Sequence, residues 1–208
     1  MGKITKVHEQ ALTADTPDAL QAVYEDWAAR YDHDLMNEWG YSTPGRVVEF
    51  LCRYLTQANP LILDAGCGTG LVGDALVAAG VNRIEGVDFS QAMLREAAAK
   101  AIYGHLHCMD MNQVLPLPTA HYDGVTCVGT FTTAHVHPEA LRELVRVTRP
   151  GGVLSFSVRI EYWNTTGFRG LLTGMDVAGE AVLEEVRTEP YVDSEGSQCK
   201  LVILRVPG

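Results

Sequence analysis

One stretch constrains the fold of this 208-residue chain more than any other: LILDAGCGTGLVG, from Leu61 to Gly73. Three apolar residues run into Asp64, glycines then alternate at 66, 68 and 70, and an apolar run resumes. That order reads as a buried strand, a tight turn and a helix. Glycines at such a turn let the backbone adopt positive φ and approach a ligand closely.

The alternation repeats downstream. RIEGVDFS is a second strand, SQAMLREAAAKA a helix capped by Ser90, YGHLHCMDM a third strand and YDGVTCVGTF a fourth. HPEALRELVRVTRPGG reads as a helix stopped by Pro150 and its glycines, and VLSFSVRI as a fifth strand. Strands alternating with helices of this length predict a parallel, doubly wound sheet covered on both faces. The chain then changes character, because AVLEEVRTEPYV and CKLVILRVP are strand-like and joined through DSEGSQ, a hairpin turn. Upstream, Pro17 to about Tyr54 reads as helical in two pieces broken near Gly40 to Gly45, with Ser42 or Thr43 capping and Pro44 opening the second. The expected organisation is one domain over 1–208, an N-terminal helical cap (1–55) on an α/β core (56–208).

Charge narrows the partners. The net charge is −10 and the lysines are four, Lys3, Lys6, Lys100 and Lys200, so no basic face is expected to displace counterions from nucleic acid. Five cysteines without a C-x-x-C pair fit reduced thiols, with Cys52, Cys108 and Cys127 expected as buried small residues. The opening MGKITKVHEQ has no apolar signal core and no stretch approaches a membrane span, so a cytoplasmic protein without membrane contact is expected.

Ligands of a doubly wound sheet bind beyond the carboxyl ends of its strands, beside the first one. A nucleoside triphosphate needs a G-K-[ST] loop, which is absent. A dinucleotide needs G-x-G-x-x-G, and here the third position falls on Leu71. Asp64 would repel a pyrophosphate but suits a cation. S-adenosylmethionine carries a sulfonium and an ammonium and no phosphate. Asp88 ends the second strand, placed to accept from both ribose hydroxyls, and Asp110 ends the third, within reach of an adenine amino group. No H-x-x-x-H, C-x-x-C or carboxylate cluster suggests a metal.

LDAGCGTG, GVDFSQAML, YDGVTCVGTF and LVRVTRPGG, in this order and spacing, resemble the class I S-adenosylmethionine-dependent methyltransferases. The resemblance implies a Rossmann-like, doubly wound, seven-stranded sheet, mostly parallel, with an antiparallel C-terminal hairpin strand. VYEDWAARYDHDL adds a likeness to the methyltransferase-like group of the Williams–Beuren region and its bacterial relatives. By position, Asp64, Gly66, Gly68 and Gly70 would line the methionine end and Asp88 the ribose. Phe89 and Met93 would border the adenine, Asp110 and Met111 its edge, and Val128 with Gly129 would lie beneath the cofactor.

On the acceptor side, Tyr24, Trp27 and Tyr31 recur on one face of the first long helix. The resemblance makes that helix a cap, with Tyr31 bonded to the methionine portion and Trp27 covering it. No [DNS]-P-P-[YF] motif follows the fourth strand, which disfavours nucleobase amine and amide acceptors. His135 is the first strong base after that strand and is the expected proton acceptor, with His33 and Glu161 as rivals. His137, before Pro138, belongs to the helix entry. Tyr162 and Trp163 would wall a substrate pocket or begin a helix on the sheet, and Arg159 would bind a substrate carboxylate. The expected reaction is in-line methyl transfer from S-adenosylmethionine, without a metal, to a small-molecule acceptor. A cyclase-type use of the cofactor or a non-catalytic binding module are the alternatives.

Overall fold

The computed structural model describes residues 6–132 and 136–208. Helix α1 (Lys6–Thr13) precedes α2 (Pro17–His33), which starts where the Thr16 side chain accepts from the Ala19 N–H at 3.2 Å. α2 continues directly into a π-helical turn, Asp34–Trp39, that ends where Gly40 takes a φ of 69°. Helix α3 (Thr43–Cys52) follows with Pro44 in its first turn. Ser42 occupies its cap position but makes no capping bond; its Oγ accepts from Arg46 Nε instead, while Thr43 Oγ donates to the Tyr191 carbonyl at 2.9 Å.

The core runs β1 (Leu61–Ala65), α4 (Leu71–Ala78), β2 (Arg83–Asp88), α5 (Gln91–Ala99), β3 (His105–Cys108), β4 (Tyr122–Phe131), α6 (Ala140–Val147) and β5 (Thr148–Arg159). Two helices, α7 (Ile160–Thr165) and α8 (Phe168–Val177), lead to β6 (Val182–Pro190), a 3-10 turn (Asp193–Glu195) and β7 (Gln198–Arg205). The seven strands form one sheet in the order β3-β2-β1-β4-β5-β7-β6, parallel except that β7 runs against both of its neighbours. This is the expected seven-stranded, mostly parallel architecture with its C-terminal hairpin. Helix α5 begins as read, with Ser90 Oγ accepting from Met93 N.

Each face of the sheet carries its own core. One holds Leu63, Val125, Phe131, Phe156 and the buried side of α6, α7 and α8; the other holds Ile62, Ile84 and the helices from α1 to α4. Leu141, Leu144 and Val147 of α6 are fully buried, each contributing roughly 1.5–3 kcal/mol by leaving water.

Four local expectations are corrected. α6 stops at Val147 and TRPGG enters β5, because Asp123 beside it accepts from Leu61 N at 2.7 Å and pairs with Arg149 at 2.6 Å, tying that segment into the sheet. α8 has no counterpart in the strand reading, although Phe168, Leu172 and Met175 recur at helical spacing and are buried. Cys52 and Cys108 are exposed, one at the end of α3 and one at the end of the edge strand β3, whereas Cys127 is buried. α1 forms in what reads as a polar lead-in.

Candidate functional site

The strand order reverses beside β1, where β2 lies on one side and β4 on the other. That is where a doubly wound sheet opens a crevice. A cavity of about 300 Å³ lies there. Gly66 and Gly68 from the β1 loop, Asp88 from β2, Cys108 from β3 and Val128, Gly129 and Thr130 from β4 line it. Phe89, Met93, Asp110 and Met111 line it too, and Tyr24 and Tyr31 reach it from α2. These eleven expected positions that line it, counting Gly129, converge from four strands and two helices, although they are spread over more than a hundred residues of chain.

Asp88 is the organising charge. Its carboxylate accepts from Gly68 N at 2.9 Å and Ser90 N at 2.8 Å, so it ties the glycine loop to the end of β2. Burial raises its pKa, while the Ser90, Gly68 and Phe89 N–H groups pull it back down. A carboxylate has about four lone-pair sites, so acceptor capacity remains toward the cavity for a hydroxyl. Gly68 carries a φ of 54°, and a Cβ added there would meet nothing within 4 Å, so the loop presents bare backbone. Asp110 is exposed and turns one oxygen to the Asn112 N–H at 2.9 Å. Met93 and Met111 are buried apolar walls.

Asp64 does not reach the cavity. It is 0% exposed, accepts from the Tyr103 hydroxyl at 2.7 Å and the Thr126 hydroxyl at 3.0 Å, and lies behind the loop. Burial pushes its pKa up to about 7, against the two hydroxyl bonds, with the Asp88 charge adding to the rise. Gly70 does not line the cavity either. A Cβ there would meet the Tyr103 ring at 3.1 Å, one at Gly73 its hydroxyl at 2.4 Å, and one at Gly86 its Cδ1 at 3.2 Å. Three glycines thus hollow the slot through which Tyr103 reaches Asp64.

The aromatic stripe divides. Trp27 is buried in the core, its ring 4.6 Å from Tyr31 and its indole N–H donating to Asp34 at 2.8 Å, so it backs the cap rather than covering the cavity. Tyr162 and Trp163 pack on Phe168, and the Tyr162 hydroxyl donates to the Val136 carbonyl at 3.0 Å. They belong to α7 and its core, as the helix reading expected, and do not line the large cavity. Arg159 lines a second void of about 40 Å³, which shares Tyr24, Tyr31 and Gly129 with the large cavity. His135 lies outside the described residues.

The rivals are placed differently. His33 is exposed beside Asp34 and Glu38, and Glu161 is exposed beside Arg159; none of these lines the large cavity. His33, Asp34 and Glu38 bring three ligand atoms within 4.8 Å of one another, the one such group among the described residues. Leu20, Met109, Asn112, Thr130 and Val136 line the cavity without a sequence signal, and Tyr41 and Tyr191 line the second void. Among the described residues no helix is long and apolar enough to cross a membrane.

A family described as a methyltransferase domain matches residues 63–156. Methyltransferase-like protein 27 of Homo sapiens is 38% identical over 152 residues, covering 69% of this chain and 60% of that protein. An S-adenosyl-L-methionine-dependent Diels–Alderase of Talaromyces variabilis is 29% identical over 158 residues, covering 64% of this chain and 54% of that protein. The chain therefore spans less than two thirds of the length of these curated relatives. Among solved structures, the [4+2]-cyclase SpnF superposes with a TM-score of 0.71 at 17% identity, covering 92% of this chain and 96% of that one, a likeness of fold.

Proposed function

The chain belongs to the class I S-adenosylmethionine-dependent methyltransferases, and from that premise we propose that it moves a methyl group from this cofactor to a small-molecule acceptor. The observation that carries the reading is the convergence of Asp88, Gly66 and Gly68 on one cavity beneath α2. Asp88 would hold the ribose hydroxyls with its spare acceptor capacity. Phe89, Met93 and Met111 would enclose the adenine, with Asp110 at its edge. Bare backbone at Gly66 and Gly68 would admit the methionine portion, and Tyr31 would close over it.

When bound, the cofactor supplies a sulfonium-activated methyl group. The chain's part is to orient the acceptor against it and to exclude water. Tyr24 and Tyr31 supply phenols held neutral by burial, so they donate hydrogen bonds without carrying charge. His135 is the proposed proton acceptor for a hydroxyl acceptor. Enclosure of the cavity under α2 supports a small acceptor over a polymer.

The test is incorporation of label from methyl-labelled cofactor into metabolite extracts. Transfer is expected, and His135→Ala should lower it by ~10²–10⁴-fold with cofactor affinity retained. The likeness to a Diels–Alderase favours a second reading, in which the cofactor stays intact while the acceptor is rearranged. No label in any product, with cofactor recovered unchanged, would favour that reading.

A further inference from the structure

Beyond the glycine-loop cavity lies the void of about 40 Å³, bordered by Arg159 and by the phenols of Tyr24, Tyr31, Tyr41 and Tyr191. Arg159 is the last residue of β5, only 15% exposed, and its guanidinium lies 5.2 Å from the Tyr191 ring centre. Glu161 meets its Nε and Glu195 its Nη2, both at 3.5 Å. Nη1 is buried and has no hydrogen-bond partner among the described residues. An orphaned guanidinium nitrogen is costly to keep, since a buried donor left unsatisfied loses the hydrogen bond it makes to water.

The surroundings say what would satisfy it. Burial raises the pKa of all four phenols, that of Tyr191 to about 12, so each stays protonated and able to donate. Tyr41 and Tyr191 are hydrogen-bonded to each other, which uses one of their two protons and leaves the other to donate. Gly129, with a φ of 75°, lets them close in: a Cβ there would stand 2.8 Å from the Tyr41 hydroxyl. The void is therefore rich in donors and holds little more than one planar group, since a water occupies about 30 Å³. Glu195 alone already balances the guanidinium and Glu161 is 62% exposed and screened, so recognition rests on the hydrogen bonds that Nη1 and the phenols can give and not on net charge. A group that only accepts, in two directions from one plane, fits this lining; an amide would turn its own N–H donors toward it.

We propose that this void is the anchor for the acceptor substrate, and that the acceptor is a small carboxylic acid whose carboxylate bonds Arg159 Nη1 and the surrounding phenols. The proposal rests on the methyl-transfer reading above, because the shared walls Tyr24, Tyr31 and Gly129 make an anchored acid reach into the large cavity. Two charge-assisted bonds in such a site are stronger than neutral ones.

The experiment is calorimetric titration of the full chain with benzoate and with benzamide, each with and without saturating S-adenosylhomocysteine. Benzoate is expected to bind at least tenfold more tightly than benzamide. Arg159→Gln should erase that preference while leaving S-adenosylhomocysteine affinity within about twofold, which also reports an intact fold. Arg159→Lys, which keeps the charge and loses the fork, should retain part of it and stands in if the glutamine variant does not fold. Equal affinity for the two probes, binding of neither, or a preference that survives Arg159→Gln would overturn the proposal. Rejection of S-adenosylhomocysteine with a benzoate preference intact in the unloaded protein would instead overturn the cofactor reading and leave the acid site standing.

Discussion

Asp64 is buried beneath the glycine loop, and its burial has a measurable consequence. Its folded pKa, about 7, lies above the unfolded carboxylate value, so the folded state holds a proton that the unfolded chain releases. The stability this contributes is complete below the unfolded pKa, near 4, and is lost as pH rises to about 7. Asp64→Asn cannot titrate, so the stability of the natural chain relative to this variant should fall by about 2 kcal/mol between pH 5 and pH 7. Urea unfolding of both proteins at the two pH values measures it, and parallel pH dependence would place an ionised Asp64 in the folded state. The residue type and position were legible from the sequence, but its direction was not. Tyr103 is 39 positions away, and the slot that admits it is made by Gly70, Gly73 and Gly86, two of them outside the fingerprint. Trp27 shows the same limit: helical spacing puts it on the face of Tyr24 and Tyr31, and only the bond to Asp34 shows that it turns away from the cavity.

Helix α2 is the element on which the cavity's enclosure depends. It packs on α5 through Ala28 against Ala92 and Met93, and surface ion pairs hold it, Glu25 to Arg95 at 2.5 Å and Asp32 to Lys100 at 2.8 Å. Asp32 also accepts from Thr69 in the glycine loop. Exposed pairs of this kind contribute about 0–1 kcal/mol each, so the helix is held mainly by its apolar face and by whatever fills the cavity. Amide hydrogen exchange across Tyr24 to Tyr31 should slow when S-adenosylhomocysteine is added. Unchanged protection would mean that the helix is ordinary packing. The extent of α2 was readable from its proline entry and periodicity. The π-turn after it was not, because a one-residue widening of a helix leaves no period of its own. α8 escaped for another reason, since a short apolar run beside strands fits either period until the sheet shows which face is free, whereas α7 was one of the two readings that Tyr162 and Trp163 left open.

The sheet as a whole was legible because parallel strands buried on both faces must read as apolar runs, and a late hairpin must read as two such runs with a turn. Its order was not, and the order is what matters for the site. Placing β7 between β5 and β6 carries Tyr191 back against Tyr41 and Arg159, residues that no local pattern connects. The large cavity was therefore foreseeable from strand-end residues, and the second void was not. If Asp88 and the glycine loop hold the methyl-donor nucleoside, calorimetric titration with S-adenosylhomocysteine and with NAD will distinguish the two ligands. S-adenosylhomocysteine is expected to bind, weakened by about 1–3 kcal/mol in Asp88→Ala as ribose hydroxyls lose their acceptor, with no comparable binding of NAD. Tight binding of NAD with no response to S-adenosylhomocysteine would contradict it.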